Sequence, residues 1–351
     1  MSAVECRALT VERGRTEVLR GIDLKLAPGE VVGLLGVSGS GKSTLLSTIA
    51  GFLRPKAGEV WLQGRMVSSP RRSVAPERRA LGVVFQGTAL WPHMTAGETV
   101  AYPLRRQGVD RTRARAQALD LLDKLGVGVL SERRPADLSG GEQQRVAVAR
   151  AFARGAAVHL LDEPTAHLDA AHRRRLLDVL SEIRAASGAA VLHATHDVEE
   201  AMSMADRLAV LRAGRIVQAG PPAVVYAEPT DVEVARLTGP ASVLTADVEA
   251  VERGCAEVDL GSRRVRVALG GAGSFAGRQA TLLVRPEWAQ LGGELPGTVR
   301  RAWYRGAHTD YRLITEGGEV EVRQPGPPEA RAGENVTWRL DRAWPLPNGA
   351  D

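Results

Sequence analysis

From Val31 to Ala50 the chain reads VVGLLGVSGSGKSTLLSTIA, and the order of residue types in that stretch decides the fold. VVGLL is an unbroken apolar run of strand length, the pattern of a strand buried on both faces. TLLSTIA carries helical spacing. Between them, Gly36, Gly41, Lys42 and Ser43 stand at the G-x4-G-K-S spacing of a phosphate-binding loop, in the strand–loop–helix context that such a loop requires. Glycines let the main chain approach a polyanion and turn its N–H groups inward, and a helix starting near Lys42 adds its positive dipole end. Lys42 is placed to reach the β- and γ-phosphates of a nucleotide, and the Ser43 hydroxyl to bind Mg²⁺. Lysine is scarce: among 46 basic residues only Lys25, Lys42, Lys56 and Lys124 are lysines.

Further along, VHLLDEP spans Val158 to Pro164. It is a buried-strand run ending in two adjacent carboxylates, whose side chains point in opposite directions if the strand continues. Asp162 therefore suits Mg²⁺ coordination beside the phosphate loop, and Glu163 suits polarising the water that attacks a γ-phosphate. Between loop and strand lies LSGGEQQR, Leu138 to Arg145. A helix should begin after Leu138 with Ser139 as its N-cap, and Gly140 and Gly141 leave backbone N–H groups open as a second anion site.

These residues resemble the ATP-binding cassette family, the ATPase subunits of ABC transporters, over about residues 3 to 240. LSGGEQQR looks like the family's signature, Gln86 in GVVFQ like its Q-loop glutamine, AHLD at Ala166 to Asp169 like its D-loop, and His196 in HATHD like its switch histidine. The resemblance implies an α/β P-loop NTPase fold, with a RecA-like core and a helical subdomain at about residues 87–150. It implies ATP and Mg²⁺ held by Gly36, Ser38, Gly39, Ser40, Gly41, Lys42, Ser43 and Thr44, with Ser43, Gln86 and Asp162 on the metal. Glu163, His196 and Gln86 would be catalytic: His196 on the γ-phosphate, Gln86 touching both metal and lytic water. Ser139, Gly140, Gly141, Glu142 and Asp169 would face a nucleotide held by another cassette. With one loop, one signature and no internal repeat, the chain should pair with a second copy of itself. His159, His172 and His193 read as structural.

In one place the chain departs from the family pattern. Cassettes usually stack an aromatic residue on adenine near their start, whereas in LTVERGRTEVLRGIDL Arg13 stands at that position. A guanidinium plane also stacks on a base, so ATP binding with weak base discrimination is expected.

Composition agrees with a two-domain cytosolic subunit: 351 residues, 44% hydrophobic, no signal-like apolar start and no run long enough to span a bilayer. Cys6 and Cys255 stand far apart and outside every motif, which suggests neither a disulfide framework nor a metal site. The net charge is +5 and the pI about 9.6. The arginines are spread along helical stretches such as RTRARAQALDLLDKL as solvated faces, so nucleic acid is not an expected partner, while nearby anionic lipid headgroups suit the excess.

After Gln86 the chain reads GTALWPHMTAGETVAYPLRRQG. Trp91-Pro92 breaks regular structure and Thr95 is placed to cap a helix. Exposed Leu90, Trp91 and Met94 would line a groove for a short permease helix; the other reading makes them core residues of the helical subdomain. Near Gly239-Pro240 the pattern changes to about eight short β segments between glycine and proline turns, from SVLTADVEAV to ENVTWRL, which argues for a small all-β barrel or sandwich. Residues 240–351 resemble the OB-like TOBE extension of importer cassettes, with LLVRPEW at Leu282 to Trp288 like its LRPE element. That implies a peripheral subunit on the cytoplasmic membrane face, energising transmembrane permease subunits served by an extracytoplasmic solute-binding protein. Ferric iron is the expected cargo, with polyamine, thiamine, sulfate or phosphonate as alternatives and an exporter or non-transport ATPase more distant. The extension would regulate, by bracing two cassettes or by sensing a ligand.

Overall fold

The computed structural model describes residues 1–166, 168–252, 255–261, 263–269 and 279–346. The chain divides into two compact units, Met1–Pro222 and Ala223–Asp351. The first runs β1 (Val4–Arg13), β2 (Thr16–Leu26), β3 (Val31–Leu35), α1 (Lys42–Ala50), β4 (Ala57–Leu62), β5 (Arg65–Ser68), β6 (Leu81–Val84), α2 (Ala96–Arg106), α3 (Arg111–Lys124), α4 (Gly140–Ala153), β7 (Val158–Asp162), α5 (Ala170–Ser187), β8 (Ala190–Thr195), α6 (Val198–Met204), β9 (Arg207–Arg212) and β10 (Arg215–Gly220).

Six strands form one sheet in the order β10-β9-β3-β8-β7-β6, parallel except for β10, which pairs antiparallel with β9 at the edge. Its central strands are buried on both faces, which is why their sequences are unbroken apolar runs. Neighbouring residues feed different cores. Val32, Leu160 and Leu192 join the core that contains Leu45, Leu46 and Ile49 of α1 and the inner face of the antiparallel sheet β2-β1-β4-β5. Val31, Leu161 and Val191 join the core built with α2 to α5. Helix α1 thus lies between two sheets, and each of its large apolar side chains contributes about 1.5–3 kcal/mol by burial.

The helical subdomain is α2, α3 and α4, so it runs from Ala96 to Ala153, its last helix ending just past the 150 read from sequence. Each helix opens on a side-chain cap. Thr95 and Ser139 each form a reciprocal capping box, with Glu98 and Glu142, and Asp110 accepts from the N–H groups of Thr112 and Arg113. Such caps are worth ~1 kcal/mol each and fix where the helices start.

The compact units meet in sequence at Pro222, earlier than the change of pattern at Gly239-Pro240. The intervening α7 (Pro222–Ala227) and α8 (Val232–Thr238) are helical, like the cassette before them. Their apolar residues Ala227, Val232 and Ala235 nevertheless pack into the core of the second unit. Periodicity identifies a helix but not the core that will bury it. After them come β11 (Ser242–Glu252), β12 (Cys255–Asp259), β13 (Arg264–Leu269), β14 (Gln279–Val284), β15 (Ala289–Tyr304), β16 (His308–Thr315), β17 (Gly318–Pro325), β18 (Asn335–Leu340) and β19 (Arg342–Leu346). Five of these close a barrel, β11-β12-β13-β19-β14, and four form the sheet β17-β16-β15-β18. Of the expected barrel or sandwich the structure has the barrel, with the four-stranded sheet beside it sharing one apolar core in which Trp338, Tyr311 and Leu282 are fully buried.

Candidate functional site

The carboxyl ends of β3, β7 and β8 lie side by side, Leu35 opposite Thr195 and Asp162 opposite Ala194. In an open parallel sheet that edge is where ligands bind. After β3 comes the glycine-rich loop, which ends at Gly41, the N-cap of α1 at φ 113°. The left-handed backbone there favours glycine, and a β-carbon would also lie 2.8 Å from Leu19 Cδ2 and displace that side chain. Gly39, also left-handed, has nothing within 4 Å of where its β-carbon would be, so the loop's rim is open. Ser38 is exposed, whereas Ser40 and Thr44 are buried.

Lys42 is buried and folded back on the loop, Nζ donating to the carbonyl oxygens of Gly36 (2.5 Å) and Val37 (3.2 Å). Burial lowers its pKa, and the charges of Glu163 and Asp162 oppose that. Asp162 closes β7 beside it. Burial raises the Asp162 carboxyl above its usual range; the donating Ser43 hydroxyl pulls the other way, Glu163 adds to the rise, and Lys42 and His193 oppose it. Two buried oxygens, Ser40 Oγ and Asp162 Oδ1, have no hydrogen-bond partner among the described residues. A hydroxyl and a carboxylate held together, with an unspent oxygen between the strand ends, fit a hard divalent cation.

Glu163 leaves the strand in the left-handed region at φ 49°. This corrects the alternating-strand reading: β7 ends at Asp162, and a left-handed turn, not strand alternation, parts the two carboxylates. The Glu163 N–H donates to the carbonyl oxygen of Ala194 at 2.9 Å. Its Oε1 lies 3.1 Å from Nδ1 of His196, whose ring is largely exposed. A carboxylate and an imidazole so paired, next to a buried lysine and a cation-competent carboxylate, form the constellation for activating a water against a bound polyphosphate.

The remaining candidates are distributed around that centre. Gln86 follows β6 and is exposed. Ser139 caps α4, with Gly140 and Gly141 in the first turn; the Glu142 carboxylate turns back onto Ser139, accepting from its N–H at 2.7 Å and its hydroxyl at 2.8 Å. Asp169 caps α5, accepting from the His172 N–H at 2.9 Å with His172 Nδ1 at 2.7 Å. His167 of the AHLD segment lies outside the described residues. Arg13 is exposed at the end of β1, where the β1–β2 hairpin turns.

Residues 19–166 match the ABC transporter family, and residues 282–346 match the TOBE domain. The chain is 36% identical to the Fe(3+) ions import ATP-binding protein FbpC of Brucella melitensis, over 93% of each chain. It is 38% identical to FbpC 2 of Rhodococcus jostii over 96% of each. The chain belongs to the ABC transporter family. Among relatives with other names, the spermidine/putrescine import ATP-binding protein PotA of Thermobifida fusca is 36% identical, over 95% of this chain and 89% of that one. A dimeric post-hydrolysis structure of the ATP-binding cassette MJ0796, bound to ADP and Pi, aligns at TM-score 0.58 and 30% identity over 62% of this chain and 98% of that one. The first unit is an ABC ATPase cassette and the second carries the family's TOBE domain. Among the described residues no helix is long and apolar enough to cross a membrane.

In this cassette Leu90, Trp91 and Met94 are half-buried, a correction to their expected exposure. Trp91 packs edge-on against Tyr102 at 5.1 Å and under the Arg150 guanidinium at 5.3 Å. Arg150 also binds the carbonyl oxygens of Thr88 and Ala89, tying the stretch after Gln86 to the signature helix α4. Two further residues of the site escaped the sequence reading. Thr165 and Glu200 bond beneath the Glu163–His196 pair. The only signal for Glu200 was its place three residues after the N-cap Asp197, a pattern that predicts a capping box, yet its side chain points inward.

Proposed function

We propose that the chain is the ATP-hydrolysing subunit of a solute-binding-protein-dependent importer, working as a pair with a second copy on the cytoplasmic face of a membrane permease. The observation that carries this reading is the Glu163–His196 contact at 3.1 Å beside Lys42, Ser43 and Asp162. The glycine loop, Gly36 to Thr44, cradles the phosphates with its N–H groups, and Lys42 exchanges its two carbonyl partners for phosphate oxygens. Ser43, Asp162 and Gln86 would hold Mg²⁺, which when bound would supply positive charge against the polyphosphate. Glu163 takes the proton of the attacking water. His196 holds Glu163 through Nδ1 and stands toward the γ-phosphate. Ser139, Gly140 and Gly141 offer N–H groups to the nucleotide of the other copy, and Asp169 stands at the same face. Glu142 acts there through the capping box, since its carboxylate is already engaged. Arg13 stacks on the base.

The relatives named for Fe(3+) support ferric iron as cargo. A polyamine is the second reading, favoured by the relative named for spermidine and putrescine. The first test is ATP turnover and oligomeric state of Glu163→Gln in ATP and Mg²⁺. The expected result is a fall in turnover of at least ~100-fold with an ATP-bound dimer accumulating. Turnover near wild type would remove Glu163 from the role. In the reconstituted transporter, stimulation by ferric iron but not spermidine supports the first cargo, and the reverse supports the second.

A further inference from the structure

Under the Glu163–His196 pair lies a carboxylate that the hydrolytic roles above leave unused. Glu200 of α6 is 2% exposed. Its Oε2 accepts from the Thr165 hydroxyl at 2.6 Å and from the Thr195 hydroxyl at 3.2 Å, while Oε1 lies 2.8 Å from His193 Nε2. Burial alone would raise the pKa of this carboxyl, but the contacts with His193, Thr165 and Thr195 outweigh it and keep Glu200 below the usual carboxylate range. A buried carboxylate is costly without such partners, so its place among them is informative.

The partners belong to the two loops that carry the reacting pair. Thr165 stands two residues beyond Glu163, and Thr195 directly precedes His196. One oxygen atom therefore bridges the two segments through their side chains, beside the backbone bond from the Glu163 N–H to Ala194 and the β7–β8 pairing. The platform beneath is itself fixed: the Glu200 N–H donates to Asp197 Oδ1 at 3.1 Å, the Asp197 N–H donates to the Thr195 hydroxyl at 3.0 Å, and Arg173 of α5 bonds Asp197 Oδ2 at 2.6 Å. Glu163 needs such support, because a non-glycine residue at φ 49° persists only where its surroundings hold it.

We propose that Glu200 is a positioning residue, whose shared oxygen holds Glu163 and His196 in hydrolytic register through Thr165 and Thr195. The inference rests on the reading of Glu163 as the base. It gives Glu200 no contact with nucleotide and predicts an effect on the chemical step alone.

The test measures kcat and KM for ATP hydrolysis by the full chain carrying Glu200→Gln, Thr165→Val, Thr165→Ser or Glu163→Gln. Losing the shared bond should misplace Glu163 by a fraction of an ångström to an ångström, so kcat for Thr165→Val is expected to fall roughly 10- to 100-fold, whereas Glu200→Gln, whose amide oxygen still accepts from both hydroxyls, should fall less. The phosphate loop is untouched, so KM should stay within about 2-fold, the sign of an interaction felt in the transition state. Thr165→Ser keeps the hydroxyl and should retain wild-type kcat, which a mere packing role for the threonine would not predict. Because Thr165→Val is nearly isosteric, it keeps the test open if Glu200→Gln fails to fold. The proposal is overturned if Thr165→Val keeps wild-type kcat while Glu163→Gln is inactive, if Thr165→Ser loses as much as Thr165→Val, or if KM rises in proportion. If Glu163→Gln itself turns over normally, the base assignment falls and the positioning role with it.

Discussion

Arg285 should decide the stability of the second unit. Its guanidinium is fully buried and bonds the carbonyl oxygens of Tyr226, Ala235, Gly239 and Pro240 and the hydroxyl of Thr238, with Tyr226 stacked at 4.0 Å. These acceptors run from α7 to the start of β11, so one side chain at the end of β14 secures that stretch to the barrel. In Arg285→Leu each carbonyl loses the guanidinium donor, at ~1–3 kcal/mol per buried acceptor left unpaired, although Ala235 keeps the Thr238 hydroxyl. The simple sum over the carbonyls, ~4–12 kcal/mol, overstates the loss, because water enters and the burial cost of the cation, which lowers the Arg285 pKa, is recovered. The net loss should be about 3–5 kcal/mol, as for breaking a buried charged group away from its partners. Against a total stability of order 5–15 kcal/mol, that is a shift in Tm of roughly 10–20 °C for a unit of this size. Calorimetry of the full chain with and without ATP and Mg²⁺ is the assay: nucleotide raises the cassette's transition and so marks it, and the loss should fall on the other. Arg285→Lys should lose most of the same stability, since an ammonium is a point charge and lacks the planar fork. A shift below about 3 °C for the leucine variant, or a lysine variant indistinguishable from wild type, would refute the reasoning.

Three further outcomes are expected. Asp162→Asn should abolish Mg²⁺-dependent turnover yet leave the nucleotide-free chain as stable or more so, because burial disfavours the ionised carboxylate in the folded state; thermal unfolding beside an ATPase assay checks both. Arg13→Tyr should tighten ATP binding, since an aromatic platform contributes about 1–3 kcal/mol per stacked base, and equilibrium nucleotide binding reads it; an unchanged affinity removes Arg13 from the base site. Burial pushes the His159 pKa from its ordinary 6.5 down to about 4, with the ring stacked on Phe152 at 4.1 Å. The unfolded chain then binds the proton first, so this contribution is complete above pH 6.5, falls as pH drops toward 4 and is lost below it, about 3 kcal/mol in all. In His159→Gln that acid limb should flatten, which urea unfolding between pH 4 and 7 measures.

What the sequence showed of the site and what it hid divide along a physical line. The phosphate loop, the DE pair and the signature are local: their chemistry comes from residues adjacent in the chain, so spacing alone locates Lys42, Asp162 and Ser139. The groups that hold those elements together are not local. Arg79 is 2% exposed and reaches the carbonyl oxygens of Thr48 and Ile49 at the end of α1, Val67 of β5, and Val74. In the sequence it is one arginine in PERRAL, indistinguishable from exposed Arg78 beside it. Arg285 and Glu200 were hidden for the same reason, since nothing in VRPEW or DVEEA states that a charged side chain will be surrounded by distant carbonyls or hydroxyls. Charge patterning reads such residues as solvated because most charged residues are. Each of these three instead occupies a place where several backbone or hydroxyl groups from separate segments converge, which is where a multidentate ion is worth its burial. They are therefore the positions at which a change should alter this protein most: Arg79 for the helix behind the phosphate loop, Glu200 for the register of the reacting pair, and, within the LRPE-like element, Arg285 for the barrel.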